Sequence, residues 1–193
     1  ILIYIDQQGE SMNKKIKIFS ITTACFVFVL IAIFAFSDKS ALFDQLDDAG
    51  PKEALALANK WRQENEKITS YVNAENIVFK LPSEKTKKKA LPKEEMVISI
   101  APYINKTHRW TTHYISSCQG ELVQTSFQVK AVDGNGEILF QGTKETMDSG
   151  FFDLWLPRNK NIMLAVIKNG KTGMEKISTF NGSKTCLTSL KLK

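Results

Sequence analysis

Hydrophobic and polar positions form three successive patterns along the chain. From Ile18 to Phe36 the sequence is uncharged and almost continuously apolar, directly after Lys14, Lys15 and Lys17. From Ser40 to about Tyr71, Ala54, Leu55, Leu57, Ala58 and Trp61 make a stripe at three-to-four spacing with charged residues between them, which predicts amphipathic helix. Gly50-Pro51 divides this stretch into two helices, because glycine is favoured past a helix end and proline at a first helical position. A helical stretch with one apolar face has no core of its own, so that face must pack on the following domain or on a second copy of the chain.

From Val72 the pattern shortens to strand-like runs at Ile77 to Lys80, Val97 to Ile100, Phe127 to Val132, Ile138 to Phe140, Phe151 to Leu156, Ile162 to Ile167 and Ile177 to Phe180. Asp133-Gly134-Asn135-Gly136 and Asn169-Gly170 supply the positive-φ residues of tight hairpin turns. The expected fold is therefore α+β, with an N-terminal helical segment over 38–75 and a mostly antiparallel, β-sandwich-like domain over 76–193. Phe127 to Phe180 also resembles the transthyretin-like and carboxypeptidase-regulatory-like sandwich modules, a likeness of architecture that specifies no chemistry. Lys85-Thr86-Lys87-Lys88-Lys89 has no interleaved aromatics and is expected to be a solvated linker.

The apolar run behind a lysine cluster has the form of an export signal, and the positive-inside bias places everything after residue 37 outside the inner membrane. Ala35 and Ser37 stand at −3 and −1 of a cleavage site before Asp38, so 1–37 is expected to be removed. The alternative is a retained N-terminal anchor over residues 18–36, a span marginal for a bilayer of about 30 Å. Met12 precedes the basic cluster and is the expected start, with Ile1 to Ser11 as upstream translation; Cys25 lies in the leader and is assigned no function. Removal of 1–37 leaves 23 basic against 18 acidic side chains, a net charge of +5 with histidines neutral. So mild a balance gives no indication of nucleic-acid binding.

Chemistry concentrates in a few residues. Beyond the leader the cysteines are Cys118 and Cys186, an even pair that in an oxidising compartment suggests a disulfide. Closing that 68-residue separation would constrain the unfolded chain by about 4 kcal/mol. His108 and His113 both lie within the ten residues before Cys118. Thiolate and imidazole favour copper or zinc over hard cations, so these four residues form a candidate metal site, although their spacing matches no zinc finger. Met96, Met147, Met163 and Met174 are too dispersed for a methionine-rich copper site. There is no G-x-S-x-G, H-E-x-x-H, P-loop or GxGxxG signature of a hydrolytic or nucleotide-dependent enzyme. No CxxC suggests thiol redox catalysis, and the protein is expected not to be an enzyme.

The string Ile98-Ser99-Ile100-Ala101-Pro102-Tyr103, followed by Thr107-His108, His113, Cys118-Gln119-Gly120-Glu121, Gly150-Phe151, Asp153-Leu154-Trp155-Leu156-Pro157-Arg158 and Thr185-Cys186-Leu187-Thr188, resembles the CueP family of periplasmic copper-binding proteins. The likeness is strong from Val97 to the C-terminus and looser through the helices. It implies a V-shaped homodimer that binds copper through three cysteines, and it makes a periplasmic copper acceptor protein a candidate partner. Cys118 and Cys186 match two of those positions; at the third, eight residues before Cys118, this chain has Trp110. Two thiolates, with either histidine in place of the missing sulfur, would hold Cu(I). The competing expectation is a disulfide-stabilised envelope module that has lost metal binding, with Trp110 filling the vacated space.

Overall fold

A computed structural model describes residues 42–81 and 85–193. The expected leader, its cleavage site and the upstream residues lie outside these. No helix among the described residues is long and apolar enough to cross a membrane. The chain separates into two compact units, 1–48 and 49–193. In the first, the described part is a helix over 42–48, α1, with Phe43 and Leu46 buried.

The second unit opens with α2, Pro51–Gln63, with proline in its first turn and Gly50 extended at its N-cap. Ala54, Leu55, Ala58 and Trp61 are its buried face. Trp61 meets Phe79 edge to face at 5.6 Å, so the apolar stripe packs on this unit's own sheet. The helical character expected as far as Tyr71 stops at Gln63: Asn65 takes a left-handed φ of 57°, and Thr69–Val72 pairs as a strand, β1. Thr, Tyr and Val fit a half-buried pleated surface better than a helix once a partner strand is at hand.

That partner is β2, Asn76–Lys80, which also pairs with β3, Thr86–Ala90, in an antiparallel sheet of order β1-β2-β3. The lysine run expected to be a linker is thus mostly an edge strand. Its backbone is satisfied by β2 in register Phe79↔Lys87 and Ile77↔Lys89, and lysines are well suited to a sheet edge because they discourage further pairing.

The remaining strands are β4 (Glu95–Ile100), β5 (Ser126–Asp133), β6 (Ile138–Glu145), β7 (Phe152–Pro157), β8 (Asn161–Lys168), β9 (Lys171–Ser178) and β10 (Cys186–Leu187). They form two sheets, β10-β4-β7 and β6-β5-β8-β9. Alternation of buried with half-buried or exposed residues on β5, β7 and β8 turns one face of each sheet inward. Ile98, Ile100, Phe152, Leu154 and Leu156 from the first sheet share a core with Phe127, Val129, Ala131, Ile162, Leu164 and Val166 from the second. This is the expected α+β arrangement with a sandwich. Asn169 and Gly170 both take positive φ, 49° and 78°, in the β8–β9 turn, as their sequence predicts. The last expected strand, Ile177 to Phe180, is only the end of β9, whose polar half carries no hydrophobic signal.

Candidate metal centre

Between β4 and β5 the chain crosses residues 101–125 without a regular strand, a length at which connections usually carry function. This segment holds His108, His113 and Cys118, and Cys186 reaches it from β10. β10 pairs parallel to β4 in register Cys186↔Ser99, and the backbone N–H groups of Thr185 and Cys186 donate to the carbonyl of Thr111 at 2.9 and 3.3 Å. The buried Thr185 hydroxyl donates to the Val72 carbonyl at 2.6 Å and accepts from the His113 N–H at 3.1 Å. One side chain therefore ties β1, the 101–125 segment and the Cys186 strand together.

Cys118 sits in a tight turn, its N–H donating to the Tyr114 carbonyl at 2.8 Å. Arg62, on α2, closes this turn from outside: one guanidinium nitrogen donates to the carbonyls of Ile115 (2.7 Å) and Cys118 (2.6 Å), the other to Gln119 Oε1 (2.8 Å). Just beyond, Gly120 lies backbone to backbone against Gly150. A Cβ on Gly120 would stand 2.5 Å from the Gly150 carbonyl oxygen, and Gly150 has φ of 72°, so both positions require glycine.

One ligand atom each of His108, Cys118 and Cys186 lies within 4.8 Å of the others. Metal–ligand bonds of about 2.0–2.3 Å place two ligands up to ~4.6 Å apart, so a small contraction brings all three onto one ion. Both cysteines are free thiols, buried with Ala101 and Phe151 and covered by Tyr114 and Met147. His108 Nε2 is buried without a hydrogen-bond partner, a cost that a metal or proton donor would remove. His113 stands behind the group: its Nδ1 is 3.8 Å from Cys186 Sγ and its ring lies 4.5 Å from Phe151. The structure thus brings all four sequence-predicted residues together, three within mutual ligating reach and His113 against Cys186.

The two thiols titrate as a pair. A hydrogen bond from Cys186 holds the Cys118 thiol well below its ordinary range; burial opposes this, and hydrogen bonds from His113 and His108 add to it. Cys186 is pushed up, first by giving its hydrogen bond to Cys118, then by burial and by the Cys118 charge. Burial lowers the Arg62 guanidinium, and the Cys118 charge partly restores it. The metal-free centre near neutral pH is one thiolate and one thiol.

Trp110 does not fill space beside the sulfurs. It is 55% exposed, meets Tyr114 at 6.0 Å and forms the rim of a cavity of about 380 Å³ shared with His108, Ser117, Cys118 and Gln119. The donor set fits a soft ion without it, since two sulfurs and an imidazole select copper or zinc over hard cations. Sequence reasoning did not find Arg62, which acts across a separation of 56 residues and carries no local signal. Nor did it find the roles of Thr185 and Phe151, although both fall within conspicuous motifs.

A search among curated protein sequences finds no significant match. Among solved structures, the chain is similar to a protein described as "Crystal Structure of S.CueP", with 30% identity and a TM-score of 0.74 over 80% of this chain and 97% of that one. The model of the family described as periplasmic copper-binding protein CueP matches residues 54–191, which takes in most of α2, all three sheets and the whole thiol–imidazole centre. Its role is accordingly copper-related and periplasmic, and the chain belongs to the CueP family.

Proposed function

We propose that the protein sequesters Cu(I) in the periplasm at a three-ligand site made of the Cys118 and Cys186 thiolates and the His108 imidazole, with His113 orienting Cys186 from behind. The carrying observation is that one ring nitrogen of His108 and the two free cysteine sulfurs lie within 4.8 Å of one another, in a place where His108 Nε2 is buried without a hydrogen-bond partner. In this reading His108 takes over the donor role that a cysteine at position 110 would have supplied. The ion is cargo, entering by the cavity that Trp110 rims, and no catalytic step is assigned. Copper is then handed to a periplasmic acceptor protein, and the protein acts as a homodimer.

The test is a Cu(I) titration of the reduced exported body against a competing chelator. One copper per chain is expected, lost in the Cys118→Ser/Cys186→Ser double variant and weakened in His108→Ala. Binding that survives the double variant would overturn the reading. A second reading, a disulfide-stabilised envelope module without metal, is favoured by the closeness of the two free sulfurs. It predicts that the isolated protein has no free thiols and that Cu(I) binds no better to it than to the double variant. Size-exclusion chromatography with light scattering decides the dimer.

A further inference from the structure

His108 lies on irregular backbone, so something other than a strand or helix must fix its distance from Cys118. Residues 109–112 form no regular structure, and the imidazole itself lacks a partner on Nε2. The anchor is at the base of the loop. The Glu121 carboxylate, three residues after Cys118, accepts from the backbone N–H of Ile104 at 2.8 Å, of Asn105 at 2.9 Å and of Lys106 at 3.2 Å. Its other oxygen accepts from the Asn105 side-chain amide at 2.9 Å. Three consecutive backbone N–H groups converging on one anion form a nest, in which charge-assisted bonds are stronger than neutral ones. Immediately beyond the nest, the Thr107 hydroxyl donates to the Thr188 carbonyl, and His108 follows.

The other end of this tie is equally fixed. The Gly120 N–H donates to the Ser149 carbonyl at 2.7 Å, and Gly120 abuts Gly150 with no room for a side chain. Glu121 thus projects from a backbone that cannot shift and grips the strip of chain that delivers the histidine. Partial burial pushes its carboxyl up, but the N–H groups of Asn105, Ile104 and Lys106 together outweigh this and hold it at about 2. It is an anion throughout the physiological range.

We propose that Glu121 is a positioning residue of the copper centre, fixing the His108 loop against the Cys118 turn so that the imidazole is in ligating place before the metal arrives. This rests on the reading of His108 as a ligand. The test is Cu(I) competition on the reduced protein for Glu121→Gln, His108→Ala and their combination. Glu121→Gln is expected to bind about tenfold more weakly, as for lost outer partners of metal ligands generally. Because Glu121 acts through His108, the double variant should bind no more weakly than His108→Ala alone, a non-additivity that general destabilisation would not produce. Wild-type affinity in Glu121→Gln, or strictly additive losses, overturns the proposal.

If His108→Ala binds like the wild type, the histidine is not a ligand and the three-ligand reading fails. Positioning by Glu121 is then decided in the metal-free protein. There Glu121→Gln should speed amide exchange at Ile104, Asn105 and Lys106 and shift the His108 ring resonances while the sandwich strands keep theirs; unmoved ring resonances overturn it. Should Glu121→Gln not fold, Asn105→Ala removes only the side-chain arm of the nest. It is expected to weaken Cu(I) in the same direction by less, and wild-type affinity there overturns the proposal.

Discussion

In the sandwich, burial along these strands follows from their own residues: Ser126–Asp133 alternates exposed and buried almost without a break, and Phe152–Pro157 alternates buried and half-buried. In the 101–125 connection, position along the chain predicts nothing of the kind. His113 and Cys118 are buried while Trp110, the largest side chain there, is 55% exposed. The first region is held by apolar area, which is non-directional and tolerant of exchange. The second is held by directed hydrogen bonds, those that Arg62 and Thr185 donate to backbone carbonyls and those that the Glu121 carboxylate accepts from backbone N–H groups. A sandwich can lose detail and keep its fold, whereas a site built from polar ties depends on each of them.

Five substitutions or conditions sharpen that contrast. The largest effect on stability is expected from Leu154→Ala in the shared core, about 2–5 kcal/mol by chemical denaturation, because a buried side chain is replaced by a cavity. Copper binding should survive wherever that variant remains folded. Cys186→Ser should do the reverse. Cu(I) affinity falls by at least about a hundredfold, beyond the usual cost of losing an outer partner, while the melting temperature of the reduced protein changes little.

Arg62→Met removes three hydrogen bonds from the Cys118 turn and leaves its carbonyls to find water. The expected cost is about 1–3 kcal/mol of stability together with a weaker Cu(I) site, read by thermal melting and chelator competition. If affinity is unchanged, the turn is preorganised without the helix.

The pH dependence follows from the thiol pair. Cys118, lowered, is already a thiolate near neutral pH; Cys186, raised, still holds its proton and must release it to ligate. Cu(I) affinity should therefore rise with pH by about tenfold per unit across the neutral range, with one proton released per copper rather than two. Potentiometric titration during loading checks the count. The smallest effect belongs to Trp110→Ala: an exposed side chain on the cavity rim should change stability by less than about 0.5 kcal/mol. A larger loss would show that the rim is part of the site's support.

The elements with local signals were legible. Gly50-Pro51 marked the helix break, Asn169-Gly170 the hairpin, and the alternating apolar runs most of the sandwich strands, because each depends on residues adjacent in sequence. Thr86–Ala90 was not legible as a strand, since lysines read as solvated wherever β2 is left out of account. Thr69, Ser70 and Tyr71 of β1, which pair with Lys80, Phe79 and Val78, were hidden in the same way behind a helical pattern. In the metal centre the ligand types were visible from composition alone: two thiols, and two histidines within ten residues of one of them. Their supports were not, because Arg62 and Thr185 act across separations of 56 and 113 residues.

The sequence by itself determined the sandwich, the hairpin turns and the soft-donor chemistry of the site, since apolar periodicity, backbone φ preference and ligand hardness are properties of single residues and near neighbours. Only the tertiary structure decided that Cys186 meets Cys118, that His108 is the imidazole within ligating reach of both sulfurs, and that Trp110 faces solvent. Those outcomes depend on where a 25-residue connection is pinned, and the pins are long-range hydrogen bonds that no local pattern encodes.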